Sequence, residues 1–123
     1  MTDEIKNMPM SEIDEEIKAE FKRVTGNDIP AYAAEIPICT LYGLIGHVCY
    51  GHSIGHFLTA VLTNDLVGAI NRADKENLAA LRQIVQFVYN ELPSPCWGSL
   101  TAINEWHKKQ FEKANAEALA VAK

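Results

Sequence analysis

Three histidines and one cysteine that could bind a metal or attack a substrate lie close together in the chain, at His47, Cys49, His52 and His56. His52 and His56 are four residues apart, a spacing that lets two imidazoles on one helix face bind zinc. A glycine precedes each of them, which argues against a rigid helix there, and few carboxylates lie near enough to orient metal ligands. We therefore expect packing or surface histidines and no metal. A hydrolase with a metal on His47, His52 and His56 stays as an alternative.

The motifs of common cofactor sites are missing from the sequence. Neither GxGxxG nor GxxxxGK occurs, so no dinucleotide or P-loop site is indicated. Cys49 has histidines nearby but no identifiable third group to orient a catalytic pair. We expect no cofactor, no catalytic residue and no enzymatic activity.

A polar strip on an otherwise apolar helix is more informative. At 100° per residue, Asn64, Asn71 and Arg72 fall on one side together with Phe57 and Gly68. Asparagine and arginine supply directional hydrogen bonds, phenylalanine supplies a stacking face, and glycine permits close approach to the backbone. The alternative is an exposed, solvated strip on which Gly68 makes room for a neighbouring helix.

A second polar and aromatic cluster is predicted at a turn that contains two prolines. Tyr89 and Trp97 offer flat faces that suit a base or sugar ring, and Arg82 lies earlier on the helix that carries Tyr89. Trp97 could instead plug one end of a helical bundle. The candidate ligand-binding residues are Phe57, Asn64, Asn71, Arg72, Arg82, Tyr89 and Trp97.

The amino-acid composition limits the kinds of partner that the chain is expected to bind. The chain has 123 residues, 48% of them apolar, and a formal net charge of −5. It has no dense basic patch, so we expect no polymeric DNA or RNA partner. The three cysteines form no CxxC pair, and no secretory leader opens the sequence, which indicates the cytoplasm.

Residues 36–64 contain no Asp, Glu, Lys or Arg, so a membrane span has to be considered. A proline, four glycines and three histidines interrupt this stretch, and no basic cluster flanks it. We expect no membrane partner, and we interpret the stretch as a segment buried between subunits of a homo-oligomer.

The periodicity predicts an all-α fold. Residues 1–28 form an acidic amphipathic N-terminal part, with a helix over 11–25 that Ser11 caps and Gly26 ends, and residues 29–123 form a single helical domain. Residues 27–54 are expected as loop, short helical turns or a short hairpin. A central antiparallel hairpin pairs a helix over 56–70, apolar almost all round, with one over 74–90 that Asp74 caps. The last helix follows Ser99 and carries a narrow apolar stripe, typical of a seam with a second copy.

Three strings resemble a widespread family of short proteins encoded by tailed bacteriophages: FLTAVLTNDL at 57–66, RADxxN at 72–77 and IVQFVYNELPSPCWGS at 84–99. The resemblance spans about residues 51–107 and brings no activity with it. The chain departs from the family at 51–55, where GHSIG replaces a turn that contains proline.

Phage proteins of this size include sponges that sequester the cyclic nucleotide signals of bacterial immunity, such as anti-CBASS and anti-Thoeris proteins. This chain is similar to them in size and in its predicted pocket, not through a shared motif. The similarity implies a homo-oligomer that stacks bases on Phe57, Tyr89 or Trp97, while Asn64, Asn71, Arg72 and Arg82 meet phosphates and base edges. The alternative is a helical interaction protein that binds a host or virion protein.

Overall fold

A computed structural model describes residues 14–122, and side chains as far as residue 117. In that range the chain forms seven α-helices, two 3₁₀ helices and no strand, which confirms the all-α prediction. The α-helices are α1 (Glu15–Thr25), α2 (Ile38–Tyr50), α3 (His56–Leu62), α4 (Leu66–Arg72), α5 (Lys75–Ala79), α6 (Leu81–Glu91) and α7 (Leu100–Ala122), and the 3₁₀ helices are Ala31–Glu35 and Ser94–Cys96.

The N-terminal helix is confirmed from Glu15 onward, but its predicted start is wrong because Asp14 is its cap; Ser11, predicted as the cap, lies outside the described residues. Asp14 accepts a hydrogen bond from the Glu16 amide and caps α1. Gly26 ends the helix at a φ of 79°, and its amide donates to the carbonyl of Lys22. Phe21 is fully buried, and its ring stacks on that of Phe87 at 5.6 Å, so α1 contributes to the core.

The prediction of loop, turns or a hairpin over residues 27–54 is confirmed for the short helical turn Ala31–Glu35 and for the loop at 51–54, and it is wrong for Ile38–Tyr50, which forms α2. Pro37 caps the start of α2, where the amide hydrogen that proline lacks is not required for a helical hydrogen bond. Nine residues of α2 are buried. Its two internal glycines lie where other groups come close. A Cβ at Gly43 would lie 3.0 Å from Cδ1 of Leu58, and one at Gly46 would lie 3.1 Å from Nδ1 of His52. Burial on several sides therefore outweighs the low helix propensity of glycine.

The two long helices of the predicted hairpin are each divided in two, so their continuity was predicted wrongly. Asn64 adopts a left-handed conformation with a φ of 64° between α3 and α4, and the Asp65 carboxylate caps α4 by accepting from the Gly68 amide at 2.9 Å. A turn at Ala80 separates α5 from α6. The cap predicted at Asp74 is confirmed, since it accepts from the Asn77 amide at 2.8 Å.

The proline turn and α7 close the bundle. Ser99 caps α7 as predicted, accepting from the Ala102 amide at 3.1 Å. The indole nitrogen of Trp106 donates to the Val48 carbonyl at 3.0 Å and joins α7 to α2. Of the predicted apolar stripe, Ile103 is buried whereas Leu100 and Phe111 are exposed. None of the helices described combines the length and the apolar character that a bilayer crossing requires.

Gly51 ends α2 at the point where α7 crosses it, and it supports a stability prediction. Its φ is 67°, and a Cβ there would lie 2.8 Å from Cβ of Gln110 and 3.3 Å from the His107 carbonyl oxygen. Gly26 has a similar φ of 79° with nothing within 4 Å of its Cβ position. We expect Gly26→Ala to cost about 1 kcal/mol through backbone strain alone. We expect Gly51→Ala to cost about 2–4 kcal/mol, because overpacking against α7 adds to that strain.

Urea denaturation followed by circular dichroism measures both losses in free energy of unfolding. Gly26→Ala is the matched control for the conformational cost. Equal losses in the two variants would contradict the close packing of α7 on the end of α2.

Candidate functional site

Three of the seven predicted ligand-binding residues meet around one cavity. Asn64, Tyr89 and Trp97 line a cavity of about 100 Å³, together with Val61, Val85 and Val88. A second cavity of about 180 Å³ shares Val61, Asn64 and Val85 with it, so the two are adjacent. We call the two cavities together the aromatic groove; its further lining residues are Ala60, Asp65, Leu66, Ala69 and Leu81.

Local structure positions each of the three polar or aromatic residues. Asn64 enters the groove because its left-handed backbone turns the chain sharply after α3. Trp97 follows the 3₁₀ helix, and the next amide, of Gly98, donates to the Leu62 carbonyl at 2.6 Å, which fastens the turn to the end of α3. Tyr89 meets Trp97 edge-on, with ring centroids 6.2 Å apart and planes at 64°. Tyr89 itself is 74% exposed, so one of its faces is open to a ligand.

The indole nitrogen of Trp97 is the unusual polar atom of this groove. It is buried and has no hydrogen-bond partner among the described residues. A buried donor without an acceptor costs about 1–3 kcal/mol. Because this atom is closed to solvent, Trp97 offers the groove its ring and not its N–H.

The other four predicted residues line neither cavity, although two lie beside them. Phe57 shares a face of α3 with groove residues one turn later, but it is half-buried and packs on the core. Arg82 is exposed two turns before Tyr89 on the same side of α6. Arg72 donates to the Gly68 carbonyl at 3.3 Å, so the chain's own arginine occupies the space predicted for a close approach there. Asn71 lies on the side of α4 away from Leu66 and Ala69.

The sequence predicts packing or surface histidines, and the structure contains both kinds. His47 is fully buried. Its Nε2 lies 2.8 Å from the Cys96 carbonyl oxygen and its Nδ1 lies 2.7 Å from Nε2 of His107. Since a carbonyl only accepts, Nε2 of His47 carries the proton, and His107 donates to Nδ1. His52 and His56 are exposed, and only His56 lies within a helix. In the described part of the chain no three His, Cys, Asp or Glu residues come together as metal ligands.

Burial also determines the chemistry of two cysteines. Cys49 and Cys96 are buried, and loss of solvation raises the pKa of each thiol to about 12. Both are therefore neutral thiols near pH 7, unsuited to nucleophilic attack.

A larger cavity, which the sequence analysis missed, lies between α1, the end of α2 and α7. Its volume is about 480 Å³. Glu20, Arg23, Cys49, Tyr50, His52, Gln110, Lys113, Ala114 and Glu117 line it. The signal was weak, because its charged residues lie on two helices almost a hundred positions apart, and each set alone is typical of a solvated helix face. We call it the polar cavity.

Comparison of the chain with models of protein families, with curated proteins and with solved structures found no match. The site therefore has to be interpreted from its own geometry.

The pair of His47 and His107 predicts a loss of stability in acid. Burial lowers the pKa of both imidazoles below the ordinary value, although the Cys96 carbonyl works in the opposite direction at His47. The unfolded chain therefore binds more protons than the folded chain once the pH falls below about 6.5. We expect the free energy of unfolding to decrease as the pH falls from about 7.5 toward the lower pKa values of the two histidines in the folded state.

Urea midpoints measured between about pH 7.5 and pH 5 test this expectation. His47→Gln should be less stable at neutral pH and should show a shallower pH dependence. The control is His56→Gln, which changes an exposed histidine and should keep the wild-type slope. A wild-type slope in His47→Gln would contradict the assignment.

Proposed function

We propose that this protein is a non-enzymatic binding protein of phage origin that sequesters a small cyclic nucleotide of bacterial immunity in the host cytoplasm. The observation that carries the proposal is the pair of aromatic rings at one cavity, Trp97 in its lining and Tyr89 with an open face, together with the Asn64 side chain. A nucleobase combines a flat ring with hydrogen-bond acceptors on its edge, which is what such a wall can bind.

Two arginines near the groove can meet an anion at its edge, although the one charged residue that the structure describes in the groove lining is Asp65, whose carboxylate caps α4. Arg82 lies on the Tyr89 side of α6, and Arg72 lies against Gly68 next to the groove residue Asp65. The described residues place neither guanidinium in an ion pair. Arginine binds phosphate with two parallel hydrogen bonds, so either side chain could receive a phosphate from a base seated in the groove. The Asn64 amide offers both a donor and an acceptor to a base edge.

Isothermal titration calorimetry with cyclic dinucleotides, cyclic trinucleotides and cyclic ADP-ribose isomers tests the proposal. We expect saturable binding of one of these classes, with the nucleotide recovered intact by chromatography. Trp97→Ala removes a ring on which a base can stack, a contact worth about 1–3 kcal/mol, so it should weaken binding about tenfold. Tyr89→Ala and Arg72→Ala should also weaken it.

Phe111→Ala is the matched control for Tyr89→Ala. Phe111 is an aromatic residue exposed to a similar extent on α7, away from the groove. The Phe111→Ala variant should bind the nucleotide with the wild-type affinity. The proposal fails if none of the nucleotides binds, if one is hydrolysed, or if Trp97→Ala binds as tightly as the wild type.

Exposed apolar side chains on α4 to α6 favour a second candidate, a helical interaction protein, and they also support a homo-oligomer. Leu66 and Val67 are 65% and 70% exposed, and Ile70, Leu78 and Val85 are each between 44% and 48% exposed. Clustered exposed apolar groups of this size mark contact surfaces more often than free surface. In the oligomer a second copy covers them; in the interaction protein a host or virion protein does.

Analytical ultracentrifugation measures the mass against the 13.6 kDa of one chain. We expect a multiple of that mass, and we expect Val67→Lys and Leu78→Lys to shift it toward the monomer. Leu100→Lys, which changes an exposed leucine on α7, is the control. A monomer at every concentration tested, together with capture of a single host protein that Val67→Lys abolishes, would favour the interaction protein.

A further inference from the structure

The polar cavity has walls whose charges cancel. Glu20 and Arg23 come from α1, while Lys113 and Glu117 come from α7. The floor is the end of α2, where the Cys49 thiol is neutral because burial raises its pKa to about 12. Two carboxylates repel a polyanion and two cations repel a polycation, so the cavity suits neither.

The two walls differ in whether their charged side chains form a direct ion pair. Nε of Arg23 donates to Glu20 at 3.1 Å, and this bond lowers the pKa of Glu20. Lys113 and Glu117 form no direct ion pair among the described residues, although Lys113 lies near enough to lower the pKa of Glu20, and Glu117 near enough to raise the pKa of Arg23. A ligand therefore gains most from meeting these two side chains, one with a negative group and the other with a positive group.

The spacing on α7 sets the size of that ligand. Four residues separate Lys113 from Glu117, so their backbone positions lie about 6 Å apart along the helix and both side chains leave it on the same side. The ammonium and carboxylate of one free amino acid lie closer together than this. Two extended residues span at most about 7 Å, so the two ends of a dipeptide match the separation.

The remaining lining groups suit the middle of such a molecule. The Gln110 carboxamide can both donate to and accept from a peptide bond. The rings of Tyr50 and His52 stack with centroids 5.6 Å apart and planes at 28°, and an aromatic side chain can pack edge-to-face against this pair. The volume of about 480 Å³ leaves room for two residues.

We propose that the polar cavity is a binding site for a short zwitterionic peptide of dipeptide length, with its carboxylate on Lys113, its ammonium on Glu117 and an aromatic side chain on Tyr50 and His52. The site is separate from the aromatic groove and does not depend on the function proposed there.

An NMR titration of the ¹⁵N-labelled full chain with alanyl-phenylalanine tests the proposal. We expect saturable shifts in the amides of residues 49–52 and 110–117 and in the Gln110 side-chain amide. N-acetyl-alanyl-phenylalanine lacks the ammonium, and alanyl-phenylalanine amide lacks the carboxylate. Each blocked form, and free phenylalanine, should bind at least about tenfold more weakly than the free dipeptide.

Lys113→Gln and Glu117→Gln should each reduce the affinity for the free dipeptide about tenfold. Lys108→Gln and Glu112→Gln are the matched controls, since both residues are exposed on α7 outside the cavity, and they should bind like the wild type. Circular dichroism shows whether each variant keeps its helices. The proposal is overturned if shifts do not saturate by about 10 mM, if the blocked forms bind equally well, or if phenylalanine alone binds as tightly.

Discussion

The buried imidazole of His47 is the contact on which the arrangement of this bundle depends. Its two ring nitrogens meet groups from two other parts of the chain, the Cys96 carbonyl in the proline turn and His107 in α7. No apolar side chain of similar size could do this, because the carbonyl would then be buried without a donor. One residue in the middle of an uncharged helix therefore sets where the last third of the chain returns to the core.

That contact also links the two cavities. Cys96 immediately precedes Trp97, which lines the aromatic groove, and His107 lies one turn before Gln110, which lines the polar cavity. Both cavities therefore have a lining residue close in sequence to this buried pair. A protein of this size has one core, so cavities on its surface share the same supports.

Sequence patterns predicted the parts of the fold that depend on local chemistry. The caps at Asp74 and Ser99 and the left-handed stop at Gly26 follow from side-chain oxygens and from the missing Cβ of glycine, and all three are confirmed. Helix α2 was missed because its glycines are explained by contacts with Leu58 and His52, which are not visible in local propensity. The breaks at Asn64 and Ala80 were missed because an apolar pattern continues across both. Asn64, Tyr89 and Trp97 were predicted as site residues and share a cavity, whereas the charges of the polar cavity meet only through tertiary packing.

The left-handed backbone at Asn64 limits which residue types this position can hold. Glycine, asparagine and aspartate are the residues that tolerate such a φ at low cost. Glycine would remove the side chain from the groove, and aspartate would place a negative charge there in place of an amide. Of the three, only asparagine both turns the chain and offers a neutral donor and acceptor. The requirement of the fold and the requirement of the proposed site therefore fall on the same residue. A substitution at position 64 would disturb the backbone turn, the polar side chain of the groove, or both.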